Sequence, residues 1–140
     1  MGDPALLRGR GRRLRLLLDT HALIWVAEGR LKPAARGAIE SADLVYVSAA
    51  TIWEIEIKRA VGRLQAPENI AQRVDDAGYD RLIITFEHAS EAGRLPLLHG
   101  DPFDRMLVAQ ARLEGLTLAT GDQSIARYAV PVLEVTARTA

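Results

Sequence analysis

Four acidic residues of this chain follow strand-like runs or lie in helical segments close to them. They are Asp19, Glu54, Asp104 and Asp122. In an α/β arrangement their side chains would converge on one end of the sheet. Carboxylates gathered at one place repel one another unless a hard cation joins them. The pattern therefore predicts a divalent-metal site, and sites of this kind support phosphate chemistry.

Each of these residues also has a purely structural interpretation. Asp19 and Asp122 each precede a helical segment and could cap it by accepting a backbone N–H. Glu54 has Lys58 four residues later, an ion pair that would contribute about 0.3 kcal/mol on an exposed helix. Four separate structural roles at one sheet edge explain the pattern less well than one shared cation.

The segment around Asp104 carries the strongest metal signal. Asp101 and Pro102 are typical of an N-cap and the first helical position, where the missing N–H of proline costs nothing. One helix does not need a second acidic cap, so Asp104 is predicted to bind metal and Asp101 is an auxiliary candidate. Arg105 could hold a carboxylate in place or contact a phosphate, and the sequence does not separate these roles.

The histidines and tryptophans give weaker signals. His21, His88 and His99 lack the spacing of a histidine metal site, and no glycine-rich phosphate loop is present. His99 is the one near the acidic group, where a loop hydrogen bond is the favoured interpretation. Trp25 and Trp53 lie at apolar helical spacing and are interpreted as core or interface residues.

Composition describes an ordinary globular chain with an uneven charge distribution. The chain has 140 residues, 49% hydrophobic and 26% charged, with a formal net charge of zero. Five arginines and one aspartate occupy the first 15 residues, so the remainder carries an acidic excess. That remainder is no general polyanion-binding surface. Cysteine is absent, which excludes disulfides and thiolate metal sites and favours the cytoplasm.

The chain divides into three predicted parts. Residues 1–13 are predicted to be a flexible basic arm, residues 14–136 one folded domain, and residues 137–140 a tail. The apolar run after Arg15 is far too short for a signal sequence or a membrane span, so no membrane association is expected.

Strand-like and helical segments alternate along the domain. Helices are predicted at 20–27, 33–41, 49–61, 67–77, 87–94 and 103–114, with a short one after Asp122. Strands are predicted at 14–18, 44–47, 82–85, 116–119 and 130–135. This alternation predicts an α/β fold with a parallel sheet, in which ligands collect at the carboxyl ends of the strands.

Four segments together resemble the motifs of PIN-domain ribonucleases. They are LLLDTHALIW, SAATIWEIEIK, HGDPFDRMLVAQA and LATGDQSI. More narrowly, they are similar to the VapC-type toxins of bacterial toxin–antitoxin pairs, over residues 14–135. The resemblance implies a single three-layer α/β/α sandwich with a central parallel sheet. It also implies catalytic and metal-binding roles for the four acidic residues and supporting roles for Thr120 and Ser48.

The chemistry implied by the resemblance is hydrolysis of RNA phosphodiester bonds with Mg²⁺ or Mn²⁺. Asp19, Glu54 and Asp104 would be direct or water-mediated ligands, and Asp122 would complete the group or orient a water. A cognate antitoxin would hold the toxin inactive, and apolar helix faces around Leu23, Trp25 and Ile57 could receive it. A homodimer is also implied.

Two other functions stay open from the sequence. One is a catalytically silent PIN-fold module that binds RNA or protein, although such a module has no reason to keep mutually repelling charges. The other is a housekeeping PIN nuclease without an antitoxin. The sequence leaves open the RNA target, the choice between one metal ion and two, the role of the arginine arm and that of His99.

Overall fold

The structure is a computed structural model and describes residues 13–138. Within this range one parallel sheet has the strand order β3–β2–β1–β4–β5. The strands are β1 (Arg15–Leu18), β2 (Leu44–Ser48), β3 (Asp80–Leu82), β4 (Thr117–Thr120) and β5 (Val132–Glu134). Because all neighbouring pairs are parallel, their carboxyl ends lie along the same edge of the sheet.

Six α-helices connect the strands. They are α1 (Thr20–Ala27), α2 (Pro33–Glu40), α3 (Ala49–Ala60), α4 (Ile70–Asp76), α5 (Phe86–Arg94) and α6 (Pro102–Glu114). A 3₁₀ helix, Gln123–Arg127, follows β4. Among the residues that the structure describes, no helix is long and apolar enough to cross a membrane.

The central strand explains the layered architecture. Leu16, Leu17 and Leu18 of β1 are completely buried, as expected of a strand covered on both faces. Leu16 and Leu18 pack with α1, α2 and α4, whereas Leu17 packs with α5 and α6. Helices therefore cover both faces of the sheet, and the predicted three-layer α/β/α sandwich is confirmed.

The third strand was predicted in the wrong place. The β-branched pair Ile83 and Ile84 placed it at 82–85, but β3 ends at Leu82, and Ile83 is 70% exposed. The reason is the register, in which Leu82 pairs with Ser48, the last residue of β2. Ser48 caps α3 through a 3.0 Å hydrogen bond from the Ala50 N–H, so the chain beyond Leu82 has no strand to pair with.

Two other elements differ from their predicted bounds, and both predicted chain ends lie partly outside the described residues. Helix α4 begins at Ile70 rather than at residue 67, and β5 is confined to Val132–Glu134. Residues 1–12 of the predicted arm and 139–140 of the predicted tail lie outside the described residues. Ala137 forms an antiparallel bridge with Leu31 beside the sandwich.

The central sheet should dominate stability. Leu118 of β4 is fully buried, whereas Leu97 is 88% exposed. Leu118→Ala is expected to lower the free energy of unfolding by about 2–5 kcal/mol because it leaves a cavity. The matched Leu97→Ala change should stay within about 0.5 kcal/mol. Urea denaturation of both variants checks the difference, and equal effects would contradict the assigned core.

Candidate active site

Asp19 stands where β1 gives way to α1. Its carboxylate is buried and accepts a 2.8 Å hydrogen bond from the Ala22 N–H, so it caps the helix as the structural interpretation expected. Burial raises the pKa of Asp19, and hydrogen bonds from Thr120 and Ala22 offset this only in part. The residue is therefore both a helix cap and a buried carboxyl group that a nearby cation would stabilise in its ionised form.

Two aspartates at the start of α6 have different hydrogen-bond partners. Asp101 accepts hydrogen bonds from the N–H groups of Phe103 and Asp104, at 2.8 and 3.2 Å, with Pro102 at the first helical position. The Asp104 carboxylate takes no part in that cap and lies 2.8 Å from His99 Nε2. Burial raises the pKa of Asp104 to about 6, and the charges of neighbouring carboxylates add to the effect.

Asp122 lies at the carboxyl end of β4 and faces the same histidine. Its Oδ1 accepts hydrogen bonds from the Ser124 hydroxyl and N–H, at 2.6 and 2.9 Å. The Ser124 hydroxyl holds the pKa of Asp122 below its usual value. Its Oδ2 is 3.5 Å from His99 Nε2. One ligand atom from each of His99, Asp104 and Asp122 lies within 4.8 Å of the others, so these three could hold one metal ion.

Glu54 enters the site from α3 with both carboxylate oxygens engaged. Its Oε1 accepts a hydrogen bond from the Thr20 hydroxyl, and its Oε2 accepts one from the Lys58 ammonium, both at 2.5 Å. The expected pair with Lys58 therefore exists, but Glu54 is buried rather than on an exposed surface. The hydrogen bond to Glu54 raises the pKa of Lys58, and the charges of Asp101 and Asp104 also favour its charged form.

The turn that presents Asp122 has room only for glycine. A Cβ atom at Gly121 would come within 2.9 Å of the Val135 carbonyl oxygen and 3.1 Å of the Trp25 ring. A larger residue would therefore push the turn away from β5 and α1. This glycine was not predicted as a site residue; its place between Thr120 and Asp122, at the end of a strand, is the signal that could have found it.

Most of this chain matches a known protein family. A family profile described as "PIN domain" matches residues 16–131 of this chain. The chain belongs to the PIN domain family. This finding confirms the resemblance that the four motifs indicated.

Individual PIN-family relatives support the same assignment. Ribonuclease VapC22 of Mycobacterium tuberculosis is 35% identical over 126 residues, covering 83% of this chain and 93% of that protein. The DNA-bound VapBC complex from Salmonella typhimurium matches with a TM-score of 0.64 at 17% identity, over 86% of this chain and 98% of that one. A toxin–antitoxin complex from Klebsiella pneumoniae matches at 0.62 and 20% identity, over 84% and 95%. At these identities, the two structures support the fold alone.

The residues predicted from sequence fall into two groups in this PIN domain. The first group faces the acidic site and comprises Asp19, Glu54, Asp101, Asp104, Thr120 and Asp122. The second group is Ser48 alone, which is fully buried and caps α3. The catalytic and metal-binding roles of these residues stay predictions. Thr20 and Lys58 were not predicted to belong to the site, although the spacing of Lys58 from Glu54 was a visible signal.

Arg105 does neither of the things considered from sequence. Its guanidinium is buried and donates to the carbonyl oxygens of Ala92, Leu95 and Pro96, at 2.9 to 3.0 Å, and to the Tyr128 hydroxyl at 3.2 Å. These bonds tie the segment after α5 to α6. The predicted contact with a carboxylate or phosphate is therefore corrected to a structural role, because these carbonyl oxygens and the Tyr128 hydroxyl engage the guanidinium.

The raised pKa of Asp104 predicts an unusual pH dependence. The folded-state value of about 6 lies above the ordinary 3.8, so the ionised carboxylate destabilises the ion-free fold, fully above pH 6 and progressively less towards pH 4. Asp104→Asn should therefore stabilise ion-free protein at pH 7.5 by on the order of 1–2 kcal/mol, after allowance for solvent screening.

Urea denaturation in EDTA, at pH 7.5 and at pH 4.5, measures this difference between wild type and Asp104→Asn. The stabilisation should shrink at the lower pH, where both forms carry a neutral group. An Asp104→Asn variant that is less stable than wild type at pH 7.5 would show that the carboxylate is held by stronger partners than His99.

Substitution of Arg105 tests whether this residue stabilises the fold. Arg105→Met should lower the free energy of unfolding by about 2–4 kcal/mol, because it leaves buried carbonyl oxygens without donors. Arg112→Met is a control on the same helix, since Arg112 makes one partly exposed ion pair with Glu91 at 3.4 Å. Thermal unfolding of both variants checks the contrast. Similar small losses would contradict the structural role.

Proposed function

We propose that this chain is the ribonuclease toxin of a toxin–antitoxin pair and that it cleaves RNA with the help of a divalent metal ion. The observation that carries the proposal is the gathering of Asp19, Glu54, Asp104 and Asp122 at the carboxyl edge of a PIN-domain sheet. The 35% identity to ribonuclease VapC22 supports the same activity. PIN-family membership and the toxin–antitoxin complexes among its structural relatives support the pairing with an antitoxin.

The donor set fits a hard divalent cation. Carboxylate oxygens are the ligands that Mg²⁺ and Mn²⁺ prefer, whereas an imidazole nitrogen such as that of His99 is better suited to zinc and other transition metals. Burial raises the pKa of both Asp19 and Asp104, so a cation beside them would favour their charged forms. We propose Asp19, Asp104 and Asp122 as the residues that hold it. A bound ion of this kind activates water and neutralises charge on the scissile phosphate.

The chain's own residues pre-arrange this group. Ser124 holds Oδ1 of Asp122 and leaves Oδ2 turned towards His99. His99 in turn restrains the Asp104 carboxylate, and the Ala22 N–H fixes one oxygen of Asp19. Because these carboxylates are fixed before substrate arrives, little reorganisation is needed when the phosphate enters.

Protein partners require exposed apolar surface, and the structure corrects where that surface lies. Leu23 is only 2% exposed and belongs to the core, so it cannot receive a partner as the sequence analysis expected. Trp53 and Ile57 on α3 and Val61 at its C-cap follow one another at four-residue intervals and are 61%, 40% and 64% exposed. This apolar stripe is better suited to a protein partner. The homodimer and the cytoplasmic location stay predictions.

Cleavage of total bacterial RNA by the purified full-length chain tests the proposed function. We expect discrete fragments with Mg²⁺ or Mn²⁺ and none with EDTA. Asp104→Asn should lower the cleavage rate by about 100-fold or more, because it removes charge that positions the ion and the phosphate. Asp76→Asn is the matched control, since Asp76 is exposed on α4 and bonded only to Gln72 among the described residues.

The outcomes of this experiment separate the candidate functions. Metal-dependent fragments that persist in Asp76→Asn and disappear in Asp104→Asn would support the nuclease. Absence of cleavage by folded, metal-loaded protein freed of any partner would instead favour a binding module. Copurification of a small protein that suppresses cleavage would identify the antitoxin.

A further inference from the structure

Lys58 places a cation inside the acidic site. Its ammonium donates to Glu54 Oε2 at 2.5 Å, and Asp101 and Asp104 are close enough for their charges to act on it. Its side chain is 33% exposed, so the ammonium can be reached from solvent. An ammonium has three N–H donors, and within residues 13–138 this one uses a single donor, on Glu54.

Glu54 differs from Asp104 and Asp122 in that both of its oxygens accept short hydrogen bonds. Thr20 donates to Oε1 and Lys58 to Oε2, and the carboxylate is buried between them. A metal ion at Glu54 would have to share an oxygen with one of these donors, and the neighbouring Lys58 ammonium would repel it. Asp104 and Asp122, by contrast, share the space around His99. The geometry thus separates Glu54, which holds a lysine, from Asp104 and Asp122, which share a space that could take an ion.

The lysine at position 58 is an uncommon residue type in this chain. Only Lys32 and Lys58 are lysines among the 18 basic residues of the chain, and all the others are arginines. Arginine offers a broad planar fork, whereas lysine is a compact point charge whose donors can rotate towards a ligand. A compact ammonium is the side chain that can occupy the position of a small cation between carboxylates and a phosphate.

We propose that Lys58, held by Glu54, is a built-in cation of the active site that contacts the scissile phosphate, so that the site takes one divalent ion on Asp19, Asp104 and Asp122. The inference rests on the proposed ribonuclease function. It makes Lys58 a catalytic residue, because it touches substrate, and Glu54 a positioning residue that acts through Lys58.

A charge-neutral double variant gives the sharpest test. Glu54→Gln combined with Lys58→Met removes the pair without changing the net charge of the site. Isothermal titration of Mn²⁺ into the full-length chain should then give one ion per chain and an affinity within about threefold of wild type. If Glu54 were an ion ligand, the double variant would lose affinity about tenfold or more, as Asp104→Asn should. That result, or two ions bound by wild type, would overturn the proposal.

RNA cleavage by the same double variant should fall by about 100-fold despite its intact ion binding, because the cation that faces the phosphate is missing. Lys58→Arg should retain more activity than Lys58→Met, since it keeps a positive charge. Lys32→Met, on the only other lysine, is the control and should cleave as wild type does. A double variant that cleaves at the wild-type rate would overturn the role of Lys58 while leaving the proposed function intact.

Stability of ion-free protein provides a readout that is independent of activity. Lys58→Met alone leaves Glu54 buried without its cation and should lower Tm by about 5–10 °C. Millimolar Mn²⁺ should raise the Tm of Lys58→Met by more than it raises that of wild type, since the freed Glu54 can then also bind an ion. The double variant should lose less stability, because no charge is left unpaired, and its folding is checked by circular dichroism.

Failure of the proposed function is distinguishable from failure of the inference. A wild-type chain that binds Mn²⁺ but cleaves no RNA would overturn the nuclease and, with it, the phosphate contact of Lys58. The Mn²⁺ titrations would still decide whether Glu54 is a ligand. A larger rise in Tm with Mn²⁺ for Lys58→Met than for wild type, with unchanged ion affinity in the double variant, would support the built-in cation.

Discussion

The burial of carboxylates at one edge of the sheet is the constraint on which the rest of this site depends. Asp19 and Asp104 lie where desolvation raises the pKa of both groups, and Asp104 also feels the charges of its acidic neighbours. Such a group is costly unless donors or cations compensate it. Five groups supply that compensation, each to one of the site carboxylates. They are the Ala22 N–H and the side chains of Thr20, His99, Ser124 and Lys58.

Helix capping and metal binding are not competing explanations here. Asp19, Asp101 and Asp122 each satisfy backbone N–H groups at the start of a helix or 3₁₀ helix. A cap fixes one oxygen and thereby the direction of the whole carboxylate. The same bonds that begin the helices also orient the acidic group, so a local requirement of the fold prepares the geometry of the site.

Residues that stabilise the fold and residues that face the acidic site occupy neighbouring positions. On α6, Arg105 binds the end of α5, the segment after it and Tyr128, while the adjacent Asp104 faces the site. On α3, Ile55 packs in the core while Glu54 turns to Thr20 and Lys58. This separation follows from helical geometry, because consecutive residues point about 100° apart.

The sequence by itself determined the fold class, the central strand and the four acidic positions. Leu16–Leu18 is a continuous apolar run, which is typical of a strand covered on both faces, and parallel strands bring the residues after them to one edge. These are local patterns with a single geometric solution. The motifs also carried enough of that pattern to identify the PIN domain family.

Tertiary structure alone decided the end of β3, the direction of Arg105, the burial of Leu23 and the place of Lys58. Ile83 and Ile84 have strand-forming side chains, yet β2 turns into α3 at Ser48 and leaves them no partner. Arg105 donates to carbonyl oxygens of α5 and of the segment after it. Lys58 pairs with Glu54 on its own helix, as their spacing predicted, but it also lies close to Asp101 and Asp104 at the start of α6. Their roles depend on distances between segments far apart in the chain, which no local pattern of residues records.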